Sequence, residues 1–353
     1  MTAEARPALL TADFDYPLPE DLVASHPADR RDDSRLLVLD RQTGAIADRT
    51  FPDFLSHLAE GDALVVNDTR VFPARLLGRK PTGARAEILL LRPLSEEGEG
   101  RTWRALVRPG GKLKPGRVVE VAQGFAVRVE DSLADGSRRV RLEGEGDPWE
   151  LVERHGEVPL PPYIRRPEVA ADRERYQTVY ARKRGSVAAP TAGLHFTTGL
   201  IEQIEALGVS VVPVTLHVGV GTFRPVDADR VEDHRMHSEW YDLSDGSARL
   251  LNRARDAGRR LWAVGTTSAR TLETAVAADG SFEATGGWTD LFIHPPYPFR
   301  AVDGLLTNFH LPRSSLLMLV SALAGRDHVL AAYRHAVEQR YRFYSYGDAM
   351  LVI

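Results

Sequence analysis

Apolar positions follow two different rhythms along this chain, and the change between them marks its organisation. Short, nearly uninterrupted apolar runs occur at Arg35–Asp40, Asp62–Asn67, Val209–Val218, Leu261–Gly265 and Leu305–Phe309. Such runs are the mark of strands buried on both faces. Between and after the later runs, apolar residues space out at helical intervals over Leu200–Leu207, Gly246–Gly258, Thr267–Ala278, Ser314–Ala324 and Val329–Tyr341. The first of these ends at Gly208, a residue suited to the left-handed turn that closes a helix. Two short helices are also predicted, over Pro19–Ser25 and over Thr50–Leu58, with Pro52 tolerated in the first turn of the latter. Alternating strands and helices predict an α/β fold, with a mostly parallel sheet and helices on both faces.

From about Arg75 to Glu150 the texture is different. Ala86–Arg92, Thr102–Val107, Val118–Val121, Phe125–Glu130 and Arg138–Glu143 read as short strands separated by glycine-rich turns, the pattern of a small barrel or sandwich. A proline-rich linker follows, with Pro159, Pro161, Pro162 and Pro167. If the strand at Asp62 joins the later sheet, the β-rich region is an insertion within the α/β unit.

Composition narrows the chemistry. The 353 residues include no cysteine. Disulfides, thiolate metal sites and a cysteine nucleophile are thereby excluded. The net charge of −4 offers no general attraction to polyanions. Its distribution is uneven, however. Arg101, Arg104, Arg108, Lys112, Lys114 and Arg117 follow one another with no acid between them, and Arg182-Lys183-Arg184 forms a second basic group. Such patches neutralise phosphates when a nucleic acid is the partner; otherwise they are solvated surface. Trp103, within a strand, reads as core rather than as a base-stacking platform. The longest apolar run, Ser315–Gly325, suits a buried helix and falls short of the roughly 20 residues a membrane span needs. Met1–Leu10 lacks the apolar core of a secretory signal. A cytoplasmic, monomeric protein without membrane contact is the expectation.

Polar residues cluster where the apolar strands end, the place where open α/β sheets bind ligands. Thr215–Phe223 carries His217 with Gly219, Gly221 and Thr222. Gly265–Arg270 opens a helix with Thr266, Thr267 and Ser268, and its free N–H groups suit a carboxylate or phosphate unless a hydroxyl simply caps them. Arg270 offers a bidentate contact to a carboxylate. Thr307–Ser315 holds Asn308, His310 and Arg313, and Ala188–Phe196 surrounds His195 with small residues. In Glu232–Glu239, His234 and His237 stand at a spacing that shares one face if the segment is helical, so a metal-dependent hydrolase is an alternative reading. The glycine-rich loop expected of an ordinary methyltransferase is absent.

Taken together, these segments resemble one family closely, the S-adenosylmethionine:tRNA ribosyltransferase-isomerases of queuosine biosynthesis. The resemblance is carried by Asp13–Pro19, Asn67–Leu76, Pro159–Ile164, Tyr176–Tyr180, the four strand-end loops, Met236–Glu239 and Tyr341–Met350. Departures are few: Gly83-Ala84-Arg85 where a Gly-Lys pair is usual, His294-Pro295-Pro296-Tyr297 in place of a Pro-Gly turn, and Tyr344 where phenylalanine is common.

The resemblance implies an α/β catalytic domain over residues 13–74 plus 157–353, interrupted by a tRNA-contacting β-barrel over 75–156. It implies that S-adenosylmethionine is consumed as a ribosyl donor, with no metal or other cofactor. The acceptor would be 7-aminomethyl-7-deazaguanine at the wobble position of a tRNA, and the products epoxyqueuosine in tRNA, adenine and methionine. On this reading His195, His217 and His310 converge as acid and base candidates. Arg270 with Thr266–Ser268 holds the methionine carboxylate, and Asp68 and Arg70 orient the target nucleotide. Thr191, Gly193, Gly219, Gly221, Thr222 and Asn308 complete the substrate-binding set, while His234, His237 and Asp348 are members without an assigned role. A non-catalytic tRNA-binding protein is the other alternative; it would leave the strand-end loops unused.

Overall fold

Residues alternate between two cores along the central strands. In strand β1 (Arg35–Leu39), Leu37 and Leu39 enter one apolar cluster while Leu36 and Val38 enter another. A strand whose successive side chains point to opposite faces does this only when both faces are covered. The structure, a computed structural model, describes residues 8–94, 100–219 and 226–353.

After β1 come β2 (Ile46–Thr50), β3 (Ala63–Asn67) and β4 (Thr69–Val71). Then follow β5 (Arg75–Arg79), β6 (Arg85–Pro93), β7 (Thr102–Arg108), β8 (Val118–Ala122), β9 (Phe125–Ser132) and β10 (Arg138–Gly144). The remaining strands are β11 (Lys183–Ser186), β12 (Ser210–His217), β13 (Glu239–Leu243), β14 (Leu261–Val264), β15 (Thr285–Thr289), β16 (Gly304–Asn308) and β17 (Ala349–Val352). The helices are α1 (Pro148–His155), α2 (Asp172–Arg175), α3 (Thr198–Ala206), α4 (Asp245–Asp256), α5 (Gly265–Ala275), α6 (Ser315–Ala324) and α7 (Arg326–Glu338).

Nine strands form the main sheet in the order β15-β13-β12-β3-β14-β16-β17-β1-β2. Its centre, β12-β3-β14-β16, is parallel throughout. The pairs β15–β13, β13–β12, β16–β17 and β1–β2 are antiparallel, so the sheet is mixed towards its edges. One face packs on α4–α7 through Leu251, Leu272, Leu317 and Val329. The other packs on α3 and on the 3-10 segment Phe51–His57 through Phe54, Leu200 and Ile204. The helix predicted at Thr50–Leu58 is this 3-10 segment, and that predicted at Pro19–Ser25 contracts to a single 3-10 turn at Glu20–Leu22.

β3 lies between β12 and β14, so the intervening barrel is an insertion in the sheet. Six strands close it in the order β10-β7-β6-β5-β8-β9 around Trp103, Ile88 and Leu142. The chain leaves and re-enters through the two-stranded parallel pair β4–β11. Among the described residues no single helix is long and apolar enough to cross a membrane; α6 and α7 meet the length and composition test only as a pair bent by 115°.

Candidate active site

Because β12, β3, β14 and β16 run parallel, their carboxyl ends share one edge of the sheet. That edge is where an α/β sheet presents helix N-termini and loops to a ligand. β14 ends at Val264, and Gly265, whose φ of +84° is a left-handed conformation open to glycine, turns the chain at once into α5.

The hydroxyls of this turn do not cap the helix, contrary to the ordinary expectation. No side chain at Val264 receives the first N–H groups. Ser268 Oγ donates back to the Val264 carbonyl at 2.8 Å, and Thr271 Oγ1 donates to the Thr267 carbonyl at 3.0 Å. Thr267 Oγ1 is buried with no hydrogen-bond partner. Thr266 and Thr267 line a narrow cleft of about 70 Å³ together with Thr191, Asn308, His310 and Tyr344.

Arg270 stands apart from that cleft. Its Nη1 makes a buried ion pair with Glu239, and its Nε donates to the Leu291 carbonyl at 3.1 Å. The other carboxylate oxygen of Glu239 accepts the Gly219 N–H at 2.8 Å. Arg270 therefore meets a carboxylate, but one supplied by the chain itself, and through it anchors the start of the loop after β12.

The three histidines do not meet at one point. His195 closes a chain of hydrogen bonds. Thr191 Oγ1 donates to Asn308 Oδ1 at 2.8 Å, Asn308 Nδ2 faces His195 Nε2 at 3.1 Å, and His195 Nδ1 faces Ser34 Oγ at 2.7 Å. Because Asn308 presents its amide nitrogen, His195 Nε2 is the acceptor and Nδ1 carries the proton. With both nitrogens engaged and its ring stacked on Phe51 at 5.0 Å, His195 orients Asn308 rather than facing the cleft. His310 does line the cleft, with Nε2 2.8 Å from Thr307 Oγ1.

His217 faces a different space, a chamber of about 760 Å³ between the barrel and the sheet edge. Its Nδ1 lies 2.8 Å from Thr69 Oγ1, whose own proton is directed to the Lys183 carbonyl at 3.4 Å. In the tautomer in which Nδ1 donates to Thr69, Nε2 is a lone-pair nitrogen. The ring stacks on Trp240 at 5.1 Å, and a Cβ at Gly185 would stand 2.5 Å from Nε2, so only glycine leaves room for it. Burial lowers all three imidazoles, to about 4 for His195 and His217 and about 3 for His310. Each is neutral at pH 7. Cleft and chamber adjoin at Val218, which lines both.

The remaining predicted residues divide. Asp68 is buried at the end of β3, where it accepts from Thr215 Oγ1 at 2.7 Å, and burial pushes its carboxyl up. Arg70 is exposed on β4. Gly193 serves packing: a Cβ there would lie 2.1 Å from Tyr180 Oη. Gly219 lines the chamber, whereas Gly221 and Thr222 lie outside the described residues. Asp348 is structural, accepting the Arg35 and Arg342 N–H groups at 2.9 and 2.8 Å beside the Arg35 guanidinium. The segment of His234 and His237 is not helical beyond the short 3-10 turn Val231–Asp233, and His234 packs edge-on to Phe292. Among the described residues no three His, Asp or Glu side chains are grouped to hold a metal ion. The departure at His294–Tyr297 packs onto α5, with Tyr297 Oη donating to Glu273 at 3.2 Å.

Sequence reasoning passed over three indoles. Trp149, Trp240 and Trp288 all line the chamber, with Arg184 4.1 Å from the Trp149 centroid and Arg92 4.7 Å from that of Trp288. The available signal was the alternation in β13, where Glu239, Tyr241 and Leu243 point inward and Trp240 does not.

The architecture defines an α/β enzyme whose sheet-edge site faces an inserted β-barrel. Comparison with known proteins makes the assignment particular. Residues 11–352 match the model of the queuosine biosynthesis protein family, and the chain belongs to that family. Among solved structures it is similar to the S-adenosylmethionine tRNA ribosyltransferase of Thermotoga maritima, at 40% identity over 97% of this chain and 100% of that one, with a TM-score of 0.56. The protein is accordingly a transferase of queuosine biosynthesis.

Proposed function

We propose that this enzyme transfers and isomerises the ribosyl moiety of S-adenosylmethionine onto 7-aminomethyl-7-deazaguanine at the tRNA wobble position, releasing adenine and methionine. Family membership and the named activity of the Thermotoga maritima relative support this reading. The observation that carries it is the pairing of two unlike spaces at Val218: a polar cleft on the N-terminus of α5, and an indole-walled chamber facing the barrel. The cleft alone is smaller than the ~300 Å³ at which small-molecule sites begin. It therefore takes only the methionine end of the donor. The α-carboxylate lies against the α5 N–H groups and Thr267 Oγ1, where the helix dipole favours negative charge. The ribosyl–sulfonium centre then sits near Val218, and the target base enters from the chamber.

A sulfonium acidifies the adjacent ribose 5′ carbon. His217, neutral and with Nε2 unprotonated, is the base assigned to remove that proton. Adenine leaves as the ribose opens, the substrate amine adds, and epoxide closure expels methionine. His310, neutral on the cleft side, offers a hydrogen bond to the methionine end of the donor, and His195 positions Asn308 for it. Residues 75–156 act as the RNA-contacting domain and residues 13–74 plus 157–353 as the catalytic one. We place the protein in the cytoplasm as a monomer.

The test is a product assay with purified protein, S-adenosylmethionine and a tRNA carrying the aminomethyl base. Adenine release with a matching mass gain on the wobble nucleotide is expected. Formation of S-adenosylhomocysteine instead would mean methyl transfer. Binding of tRNA without any donor turnover would mean a binding protein.

A further inference from the structure

β13 and β15 pair antiparallel with Trp240 directly opposite Trp288, so the two indoles stand side by side on one face of the ladder. His217 continues the row, stacked on Trp240. Trp288 is 53% exposed, whereas Trp103 and Trp262 are fully packed in cores. An exposed apolar side chain is ordinary in isolation. This one is distinguished by what lies on it. The Arg92 guanidinium covers its ring, and Arg92 has no ion-pair partner among the described residues. An accessible indole that already stacks a planar cation is chemically suited to stack a nucleobase. The surroundings favour RNA over a protein partner: Arg184 likewise lies on Trp149 without an ion pair among the described residues, and Arg104 lines the same chamber. A protein partner would have to bury or neutralise these charges; phosphates complement them.

We propose that Trp288 is the stacking platform for the unpaired nucleotide next to the target base. The row His217–Trp240–Trp288 puts the target at His217 and its neighbour on Trp288, with Arg92 released to the adjacent phosphate. Specific RNA recognition commonly works by splaying loop bases onto aromatic side chains. The inference rests on the proposed tRNA substrate for the identity of the ligand, and its test is a binding equilibrium independent of ribosyl transfer.

A fluorescently labelled anticodon stem-loop RNA is titrated with full-length protein in the absence of S-adenosylmethionine, across a series of salt concentrations. Trp288→Ala weakens binding about 5- to 150-fold, the range for loss of one stacked base. Trp288→Phe, which keeps an aromatic face, restores most of the affinity. Both retain the wild-type dependence on salt, because no phosphate contact is removed. Because Trp288 is exposed, unchanged thermal unfolding of the alanine variant is the check that it folds. Binding by Trp288→Ala equal to wild type overturns the platform, as does a phenylalanine variant as weak as the alanine one. If RNA binding behaves as expected while the wild type releases no adenine, the proposed reaction fails and the platform stands.

Discussion

A histidine that stays neutral in a folded protein makes stability depend on pH. His195 and His310 are buried, with pKa values lowered to about 4 and about 3, against about 6.5 in the unfolded chain. Below pH 6.5 the unfolded state binds protons that the folded state refuses, so acid favours unfolding. Stability is therefore full above about pH 6.5, declines as pH falls, and stops declining on this account only below the folded values. The slope is about 1.4 kcal/mol per pH unit for each such group. Thermal denaturation between pH 7 and 4.5 is expected to show Tm falling with acidity, and His195→Gln, which has no titrating ring, is expected to flatten the fall. An equally steep fall in that variant would mean that His195 titrates normally in the fold. Residue types at the strand ends were legible because chemistry restricts which side chains serve there. The direction each ring takes was not. It depends on partners distant in sequence: Ser34 and Asn308 for His195, Thr69 and Gly185 for His217.

Among elements, the decisive contact joins α5 to β13. Arg270 and Glu239 are each about 5% exposed and form an ion pair, and Glu239 also holds the Gly219 N–H. Removing one partner of such a pair leaves the other charge buried and uncompensated, at a cost of about 3–5 kcal/mol. Arg270→Met is expected to lower the denaturant midpoint accordingly. Adding Glu239→Gln should recover much of that stability, because a neutral amide no longer needs the guanidinium. It should not recover adenine release, because Gly219 loses its charged anchor beside the site. A single variant as stable as wild type would show that the pair contributes no net stability. The parallel strands β3, β12, β14 and β16 could be read from their apolar runs because burial on both faces leaves no room for polar alternation. β13 and β15 could not. One begins with Glu239, the other carries Gly286-Gly287, and both are fixed by pairing with each other rather than by their own composition. The segments predicted as short helices at Pro19 and Thr50 settle as 3-10 turns, the form short connecting pieces commonly take.

For the molecule as a whole, net charge and useful charge point in opposite directions. Acids outnumber Lys and Arg by 49 to 45, yet Lys112, Lys114 and Arg117 project from the turn between β7 and β8 with no ion pair among the described residues. If the barrel carries the RNA, attraction is local, and its signature is counterion release. The logarithm of affinity for tRNA falls linearly with the logarithm of salt concentration, with a slope of about 0.7–0.9 for every phosphate contact. Replacing Lys112, Lys114 and Arg117 together by alanine is expected to weaken binding at low salt and to make the slope shallower. The variant and wild-type curves then approach each other as salt rises, since the lost interaction is one that salt was already screening. Removal of the Trp288 ring gives the opposite signature, a parallel displacement at every salt concentration, because stacking releases no counterions. The two experiments thus separate what the barrel contributes by charge from what the sheet edge contributes by shape. Superimposed curves for the triple variant would place the RNA on the other basic group, Arg182–Arg184, at the stalk where the chain re-enters the sheet.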